Sequence, residues 1–390
     1  MSQWEIFPDS VTLRTMANPV TMQHTLTATS NSIPLSRRGD HLGWLNRKQP
    51  HTPSSSNHRE QWLQMEAILL PGAVQNRLAA FQHAIDSSHG LMAKLVAGEN
   101  PSAIIDQEPY YQQQLADQFS LAMVSSEDHD QQAIEKLYFL ADVDAEVKDN
   151  MDDHEVWCKA SWLSFHPDDA SLRLRFSFGI EGIEDVAADP NREHLAGELC
   201  RRLFPESALI SDDTTLQAQL AATLDLPAID FVERIVYFNA PNGGALMHHD
   251  VERGHAGVIY AQISGRTFWL ALGKPQLIEE IRQFVATQPQ AVAQALPTSE
   301  QRAALQQLCN HPEQMAQLLN QAEHTLLESV IDHSAEFIHQ VANHGYGYLL
   351  EPGDALLMPQ TDEEACVWHT VFCLDDEPGE GLSFAMRERA

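Results

Sequence analysis

The sequence predicts an α+β protein with a β-rich C-terminal core, helices ahead of that core and a helical insert within it. Three observations lead to this prediction. Polar and apolar residues alternate at 156–165 and 171–178, as in half-buried strands. Short strands separated by turns dominate from residue 231 onwards. Residues 275–343 interrupt them with apolar side chains at helical spacing.

The first 150 residues are expected to add an arm and a helical region to the core. Residues 1–60 are rich in Ser, Thr, Asn and Pro, which predicts a polar N-terminal arm. Trp4, Ile6, Phe7 and Trp44 are its predicted anchors. Residues 61–150 are expected to be mainly helical. The predicted helices there span 73–97, 109–124 and 130–148.

The remaining elements belong to the predicted core region, residues 151–390. Helices are predicted at 192–204 and 214–224, and a strand at 231–238. Within the insert, Thr298 and Gln301 have the spacing of a capping box. One apolar stripe comprises Met315, Leu319, Ala322, Leu326, Val330, Phe337 and Val341. We expect this insert to form a lid or a homodimer contact.

Composition excludes several functional classes. The 390 residues include 24 Lys and Arg against 55 Asp and Glu, a net charge of −31. Such a surface repels nucleic acid and anionic membranes, whereas a basic partner would be attracted. The acidity could equally serve only to keep the protein in solution. No apolar run reaches the length of a membrane-spanning helix, and the first residues do not resemble a signal peptide. With five scattered cysteines, a cytoplasmic protein is expected.

One segment stands out as a source of chemistry, because nucleotide-binding and hydrolase motifs are absent from the sequence. His248 and Asp250 follow a Gly-rich turn, and their spacing places both side chains on one face of a strand. An imidazole and a carboxylate side by side are two of the three ligands of a 2-His-1-carboxylate iron site. For an isolated His-x-Asp, surface residues beside a turn are the commoner explanation.

A second segment offers a candidate for the third ligand. Pro352-Gly-Asp-Ala-Leu-Leu-Met-Pro359 predicts a turn followed by a strand, and Trp368-His369 lies on the next predicted strand. Alone, His369 would be interpreted as a core histidine. Together with Ala261-Gln-Ile-Ser-Gly-Arg-Thr-Phe-Trp-Leu-Ala-Leu272, these segments resemble the JmjC branch of the cupin superfamily over residues 230–388. This branch comprises Fe(II)- and 2-oxoglutarate-dependent oxygenases.

The resemblance implies a fold, a cofactor and a cosubstrate. The fold would be a double-stranded β-helix, the jelly-roll barrel of cupins. His248, Asp250 and His369 would bind Fe(II), and 2-oxoglutarate would be the cosubstrate. The reaction would hydroxylate a C–H bond of a protein or peptide side chain, or of an amino-acid-like metabolite.

The sequence departs from this family at the 2-oxoglutarate site. Thr267 occupies the position of the family lysine that pairs with the distal carboxylate. Arg387 on the last strand could supply the missing cation, although a solvated arginine is an equal alternative. Tyr237, Gln262 and Ser383 are further candidates for lining the cosubstrate pocket, and a role in packing alone is the alternative for each. His255 is expected on the surface.

Two other functions stay open. The chain could be a metal-binding cupin that does not use 2-oxoglutarate, as Thr267 suggests. It could also be a non-catalytic scaffold or binding protein, although that function gives no reason for three ligand residues to coincide with the family pattern.

Overall fold

Three antiparallel sheets and fourteen helices make up the part of the chain that the computed structural model describes. The described residues are 32–46, 53–125, 133–141, 155–164, 166–176, 190–251, 254–321 and 324–389. Mixed helices and antiparallel sheets confirm the predicted α+β class. No helix among these residues is long and apolar enough to cross a membrane.

The N-terminal strands form a separate hairpin or extend the largest sheet. They are β1 (Ser32–Arg37), β2 (Asp40–Asn46), β3 (Ile68–Leu70), β4 (Phe119–Ser125), β5 (Ala133–Ala141), β6 (Glu155–Trp162) and β7 (Leu172–Phe176). Strands β1 and β2 pair only with each other among the described strands. The other five flank the C-terminal strands, β3 at one edge and β7 to β4 at the opposite edge.

The C-terminal strands are divided between two sheets. They are β8 (Ile229–Asn239), β9 (Gly244–His248), β10 (Gly257–Ser264), β11 (Thr267–Gly273), β12 (Gly347–Leu350), β13 (Ala355–Pro359), β14 (Val367–Cys373) and β15 (Gly379–Glu388). The nine-stranded sheet has the order β3-β13-β10-β15-β8-β7-β6-β5-β4, and the four-stranded sheet has the order β12-β11-β14-β9. One apolar cluster joins Tyr260 and Ala385 of the first sheet to Trp269 and Val371 of the second. The two sheets therefore pack face to face.

Helices cover the outer side of the nine-stranded sheet. They are α1 (His58–Leu63), α2 (Gln75–Leu78), α3 (Gln82–Val96), α4 (Pro101–Gln107), α5 (Pro109–Leu115), α6 (Pro190–Leu203), α7 (Ala208–Ser211) and α8 (Thr214–Leu224). The largest apolar cluster lies between them and the sheet, where Leu91, Leu199 and Leu220 meet Leu174 and Phe384. Helices α6 and α8 confirm two of the predicted helices.

The insert is helical, as its periodicity predicts. Its helices are α9 (Lys274–Thr287), α10 (Pro289–Ala295), α11 (Ser299–Asn310), α12 (Pro312–Leu319), α13 (Thr325–Ile331) and α14 (Ala335–Val341). The predicted capping box starts α11, because Thr298 Oγ1 accepts from the backbone N–H of Gln301. Apart from Ala322, which lies outside the described residues, the apolar stripe runs over three short helices. The insert packs with the β1–β2 hairpin on the outer side of the four-stranded sheet.

Two helix predictions ahead of the core are wrong. Helix α5 ends at Leu115, and strands β4 and β5 occupy much of the ranges predicted as helices at 109–124 and 130–148. In β5, Leu137 and Phe139 are buried against helices while the residues between them face the other side of the sheet. This period-two burial overrides a composition that also suits a helix.

The predicted N-terminal arm is only partly described. Trp4, Ile6 and Phe7 lie outside the described residues, and Trp44 is half-exposed, so it is not the expected anchor. The β1–β2 hairpin is held instead by Leu35 and Leu42, which are buried in the cluster that also contains the insert.

Two acidic side chains are buried together on the helix-covered side of the nine-stranded sheet. Glu380 lies on β15, and Glu206 lies in a 3-10 turn at Pro205–Ser207, where Ser88 donates a hydrogen bond to it. Burial raises the pKa of both carboxyl groups, and the charge of Glu206 raises that of Glu380 further. Glu380 therefore keeps its proton above the pH at which an exposed glutamate loses it.

Candidate metal centre

Strand pairing brings the three predicted ligands together between the two sheets. His248 ends β9 and lies opposite His369 of β14, and Asp250 follows β9 by two residues. Asp250 Oδ1 is 3.5 Å from His248 Nε2, and Asp250 Oδ2 is 3.4 Å from His369 Nε2. One donor atom from each residue lies within 4.8 Å of the others. The three side chains therefore face a common point.

The ionisation of these groups suits ligands. Burial and the neighbouring His248 lower the pKa of His369 to about 3, which keeps this imidazole neutral. Burial opposes ionisation of Asp250, but the two histidines outweigh it and hold the pKa of Asp250 below its usual range. Burial also opposes protonation of His248, yet the Asp250 carboxylate outweighs it and raises the pKa of His248. A bound cation would replace that proton.

The residues present fit a divalent transition metal. The two Asp250–histidine distances exceed the 2.7–2.9 Å typical of charge-assisted hydrogen bonds, as expected for atoms that surround a common centre. His248 Nδ1 is 2.7 Å from the carbonyl of Leu246, which favours a proton on Nδ1 and leaves Nε2 as a lone-pair donor. His369 is nearly inaccessible, whereas Asp250 and His248 are about one-third or more exposed. The centre is therefore open on one side.

Aromatic and amide side chains support His369 from the interior. The ring of Trp269 stacks on His369 with centroids 5.2 Å apart. Trp269 Nε1 donates to Thr267 Oγ1 at 2.9 Å, and Thr267 donates to Gln262 Oε1 at 2.6 Å. Tyr260 also donates to that oxygen, at 3.1 Å. Thr267 and Gln262 are fully buried in this network, so their polar groups are already engaged.

The other predicted site residues occupy different surroundings. Tyr237 of β8 is half-buried, and its ring centroid is 6.4 Å from that of Tyr260. Burial, followed by the charge of Asp250, raises the pKa of Tyr237, which places its hydroxyl in the field of the metal centre. Ser383 pairs with Tyr260 across β15 and β10. Arg387 lies near the end of β15, packed beside Gly254 in the segment that follows Asp250.

His255 is buried, contrary to the surface position expected for it. Burial, followed by the charge of Arg387, lowers the pKa of His255 to about 4. Asp250 also contributes to the electrostatic environment of His255. The Gly-rich neighbourhood suggested an exposed loop, but the segment folds back against β15, where Ala256 donates a backbone hydrogen bond to Met386.

A buried ion pair behind the metal centre was not predicted from the sequence. Arg37 of β1 and Asp332, just after α13, are each only 1% exposed and lie 3.3 Å apart. Asp332 Oδ1 accepts the backbone N–H of Met247 at 2.7 Å, next to His248. Arg37 donates to the carbonyl of Ala245 at 2.6 Å. The pair thus ties β9 to the hairpin and the insert, across sequence separations that local patterns cannot show.

Comparisons with known proteins give remote likenesses. No protein-family model and no curated protein sequence matches the chain. It is similar to YcfD, a ribosomal oxygenase from Escherichia coli, at a TM-score of 0.21 and 15% identity, over 56% of this chain and 32% of that one. It is also similar to an oxidoreductase of the 2OG-Fe(II) oxygenase family from Burkholderia pseudomallei, at a TM-score of 0.32 and 8% identity, over 87% and 96%. The chain thus spans about a third of the YcfD chain, and both likenesses are too remote to assign it a function.

Proposed function

We propose that this chain is an Fe(II)- and 2-oxoglutarate-dependent oxygenase that hydroxylates a C–H bond. The observation that carries the proposal is the convergence of His248, Asp250 and His369 on one point between two facing sheets. Two imidazoles and one carboxylate leave coordination positions for a cosubstrate and oxygen. We infer that strands β8 to β15 form the double-stranded β-helix, because four of them lie side by side in each sheet.

The protein's own contribution would be binding, orientation and shielding. The bound iron, when present, supplies oxidation by molecular oxygen coupled to decarboxylation of 2-oxoglutarate. Asp250 and the two histidines would hold the ion, and Trp269, which stacks on His369, would fix the plane of that ring. The open side next to His248 and Asp250 would admit the substrate. That substrate would be a peptide side chain or an amino-acid-like metabolite.

Arg387 is the residue we propose for the distal carboxylate of 2-oxoglutarate. Thr267 carries no charge, and its hydroxyl is engaged with Gln262 and Trp269, so it offers no site for a carboxylate. Arg387 is only partly buried. Its charge lowers the pKa of His255, and the charge of Asp250 raises it. A guanidinium at this place could bind a carboxylate through two hydrogen bonds. Tyr237 and Ser383 would line the same space.

The closed network at Thr267 also favours a second candidate, a metal-dependent cupin that does not use 2-oxoglutarate. An anaerobic titration with Fe(II) and then 2-oxoglutarate separates the two. If the chain is a 2-oxoglutarate-dependent oxygenase, a weak charge-transfer band should appear in the visible spectrum only after both Fe(II) and 2-oxoglutarate have been added. Iron binding without the band would favour the second candidate, and no iron binding would leave a binding or scaffold protein.

Three variants sharpen this titration. His248→Ala is expected to abolish iron binding and the band. His249→Ala is its matched control, because the ring of His249 packs edge-on against Trp368 instead of facing Asp250. Arg387→Gln is expected to weaken the binding of 2-oxoglutarate by about tenfold or more, while the affinity for iron stays unchanged. An unchanged 2-oxoglutarate affinity in that variant would remove Arg387 from its assigned role.

A further inference from the structure

An open polar cleft lies on the insert, and none of the three metal-facing residues lines it. The cleft has a volume of about 660 Å³ and is found where strand β2 of the hairpin meets helices α9 and α14. Sites for small molecules have volumes of this size. The described residues that line it include four side-chain amides, two imidazoles and one carboxylate, but no lysine and no arginine. Their polar atoms therefore determine what the cleft can bind.

A buried carboxylate lies behind the wall of this cleft. Glu280 of α9 is only 6% exposed. Its Oε2 accepts a hydrogen bond from Gln340 Nε2 at 2.7 Å, and both of its oxygens lie 2.9 Å from His344 Nδ1. Gln340 in turn accepts a hydrogen bond from Gln288 Nε2 at 3.1 Å. No lysine or arginine among the described residues pairs with Glu280, so its negative charge is shared only with amides and an imidazole.

The protons of this network point towards Glu280. A carboxylate can only accept, so Gln340 turns its amide NH₂ and His344 its Nδ1–H towards it. Nε2 of the neutral His344 ring is then left with a lone pair, and 37% of this side chain is exposed. Gln288 uses its NH₂ on Gln340, which leaves its side-chain oxygen as an acceptor. The network thus consumes donors and presents acceptors to the cleft.

A second imidazole contributes another acceptor. His339 Nε2 is 2.8 Å from the backbone carbonyl of Leu42, so this nitrogen carries the proton and Nδ1 of the neutral ring keeps its lone pair. Neither His339 Nδ1 nor His344 Nε2 has a hydrogen-bond partner among the described residues. Glu336 of α14 adds an exposed carboxylate to the lining. Three different kinds of acceptor therefore meet in one cleft.

The backbone departs from α-helical geometry where it carries His344. Helix α14 continues into a wider π-type turn at Ala342–Tyr346. Such turns within helices are rare in general and frequent at functional sites. Here the turn carries the imidazole that reaches Glu280 on the neighbouring helix α9. The lining is thus built by contacts between two helices and the hairpin, and not by one exposed helix face.

We propose that this cleft binds an organic cation, through its guanidinium or primary ammonium group. Such a group carries donors and no acceptor, so it complements a lining of lone pairs and carboxylates. The charges of Glu336 and Glu280 attract it, and the net charge of −31 raises the concentration of cations near the surface. An anion would meet acceptors and negative charge. The proposal goes beyond the proposed oxygenase reaction and does not depend on it.

Nα-acetyl-argininamide is the probe, and Nα-acetyl-citrullinamide is the chemical control, because it replaces the guanidinium by a neutral urea of similar shape. Binding to the full-length chain is followed by isothermal titration calorimetry at low ionic strength. We expect saturable binding of the arginine probe with a dissociation constant of about 1 mM or lower. The citrulline probe should bind about tenfold or more weakly, because it lacks the charge. Absence of saturable binding, or equal affinity for the two probes, would overturn the proposal.

Two variants locate the bound cation. Glu336→Gln removes an exposed charge and should weaken the arginine probe about threefold. Glu280→Gln removes the buried charge and should weaken it by about tenfold or more. Glu313→Gln is the matched control, since Glu313 is an exposed glutamate of the insert on α12 that does not line the cleft. It should bind the probe as the unmodified chain does.

Unchanged affinity in Glu336→Gln would contradict the assignment of the cleft. Near-ultraviolet circular dichroism shows whether each variant is folded. If Glu280→Gln does not fold, the exposed Glu336 alone decides. His248→Ala separates this cleft from the metal centre: the variant should bind the arginine probe normally even though its iron binding is lost. Loss of probe binding in His248→Ala would place the cation in the metal centre and overturn the proposal.

Competition then identifies the recognised group. Displacement of the arginine probe by an equal concentration of Nα-acetyl-lysinamide would show that the cleft recognises any organic cation. Failure of the lysine probe to displace it would assign the cleft to the planar guanidinium. Both results support a cation site. Because none of these measurements uses iron, failure of the charge-transfer titration and failure of the cation site are distinguishable.

Discussion

The buried Arg37–Asp332 ion pair gives the sharpest prediction for this molecule. Replacing Asp332 by Asn keeps an acceptor for the backbone N–H of Met247 but removes the negative charge beside Arg37. Both side chains are 1% exposed, so water cannot replace the lost partner. Breaking a buried pair on one side costs about 3–5 kcal/mol. Because the amide retains hydrogen bonds, we expect a loss of about 3 kcal/mol in the free energy of unfolding.

The assay is urea unfolding at neutral pH, combined with Mn(II) titration. Because Asp332 holds the backbone next to His248, the Asp332→Asn variant should also bind Mn(II) about tenfold or more weakly. Replacing both partners, as Arg37→Met with Asp332→Leu, should cost less stability than Asp332→Asn alone, since no unpaired charge remains.

Asp375→Asn is the matched control for this prediction. Asp375 pairs with Arg266 at 2.6 Å, but 43% of the Arg266 side chain and 24% of the Asp375 side chain are exposed. An exposed pair of this kind contributes about 1 kcal/mol or less. If Asp332→Asn destabilised the chain no more than Asp375→Asn, burial of the Arg37–Asp332 pair would not determine how much Asp332 contributes to stability.

Three further predictions concern other parts of the molecule. Because burial raises the pKa of Glu380 in the folded state, folding takes up a proton at pH values where an exposed glutamate is ionised, and stability falls as pH rises above that range. Glu380→Gln should flatten this slope in urea unfolding, and an unchanged slope would contradict the prediction. Thr267→Val should cost about 1–3 kcal/mol in the same assay by leaving the indole N–H of Trp269 unpaired, and a neutral effect would show that the network relaxes. Gly244→Ala should unfold the chain or abolish Mn(II) binding, because a Cβ at this position would lie 2.0 Å from a carbonyl oxygen of β14. In the control variant Gly345→Ala the added Cβ meets no neighbour within 4 Å, so the free energy of unfolding should fall by only about 1 kcal/mol. Similar losses of stability in the two variants would argue against a steric cause.

Local pattern predicted the parts of the fold whose burial follows one period. Strand β7 alternates buried and partly buried residues along its length, and helices α6, α8 and the insert repeat apolar residues at helical spacing. Strand β5 was wrongly predicted as a helix although its burial alternates, because Ile134, Tyr138 and Leu140 on its other face are also apolar and hide the period of two in the sequence. Its pairing with β4 and β6, which lie apart from it in the sequence, decides its structure.

The candidate site was predictable only in part. The spacing of His248 and Asp250 is a local signal, whereas His369 was identified through resemblance because its own neighbours are those of a core residue. Arg37 and Asp332 lie 295 positions apart, so no local pattern connects them.

The origin of these supporting contacts determines how far the chain can be shortened. Strand β9, which ends in His248, donates a backbone hydrogen bond to Asp332 of the insert and accepts one from Arg37 of the hairpin. Strand β3 also pairs with β13 of the core. A fragment beginning at β8 would contain all three metal-facing side chains yet lack Arg37, leaving Asp332 as an uncompensated buried acid. We therefore expect the smallest unit that folds around this centre to include β1, far upstream of the strands that carry the ligands.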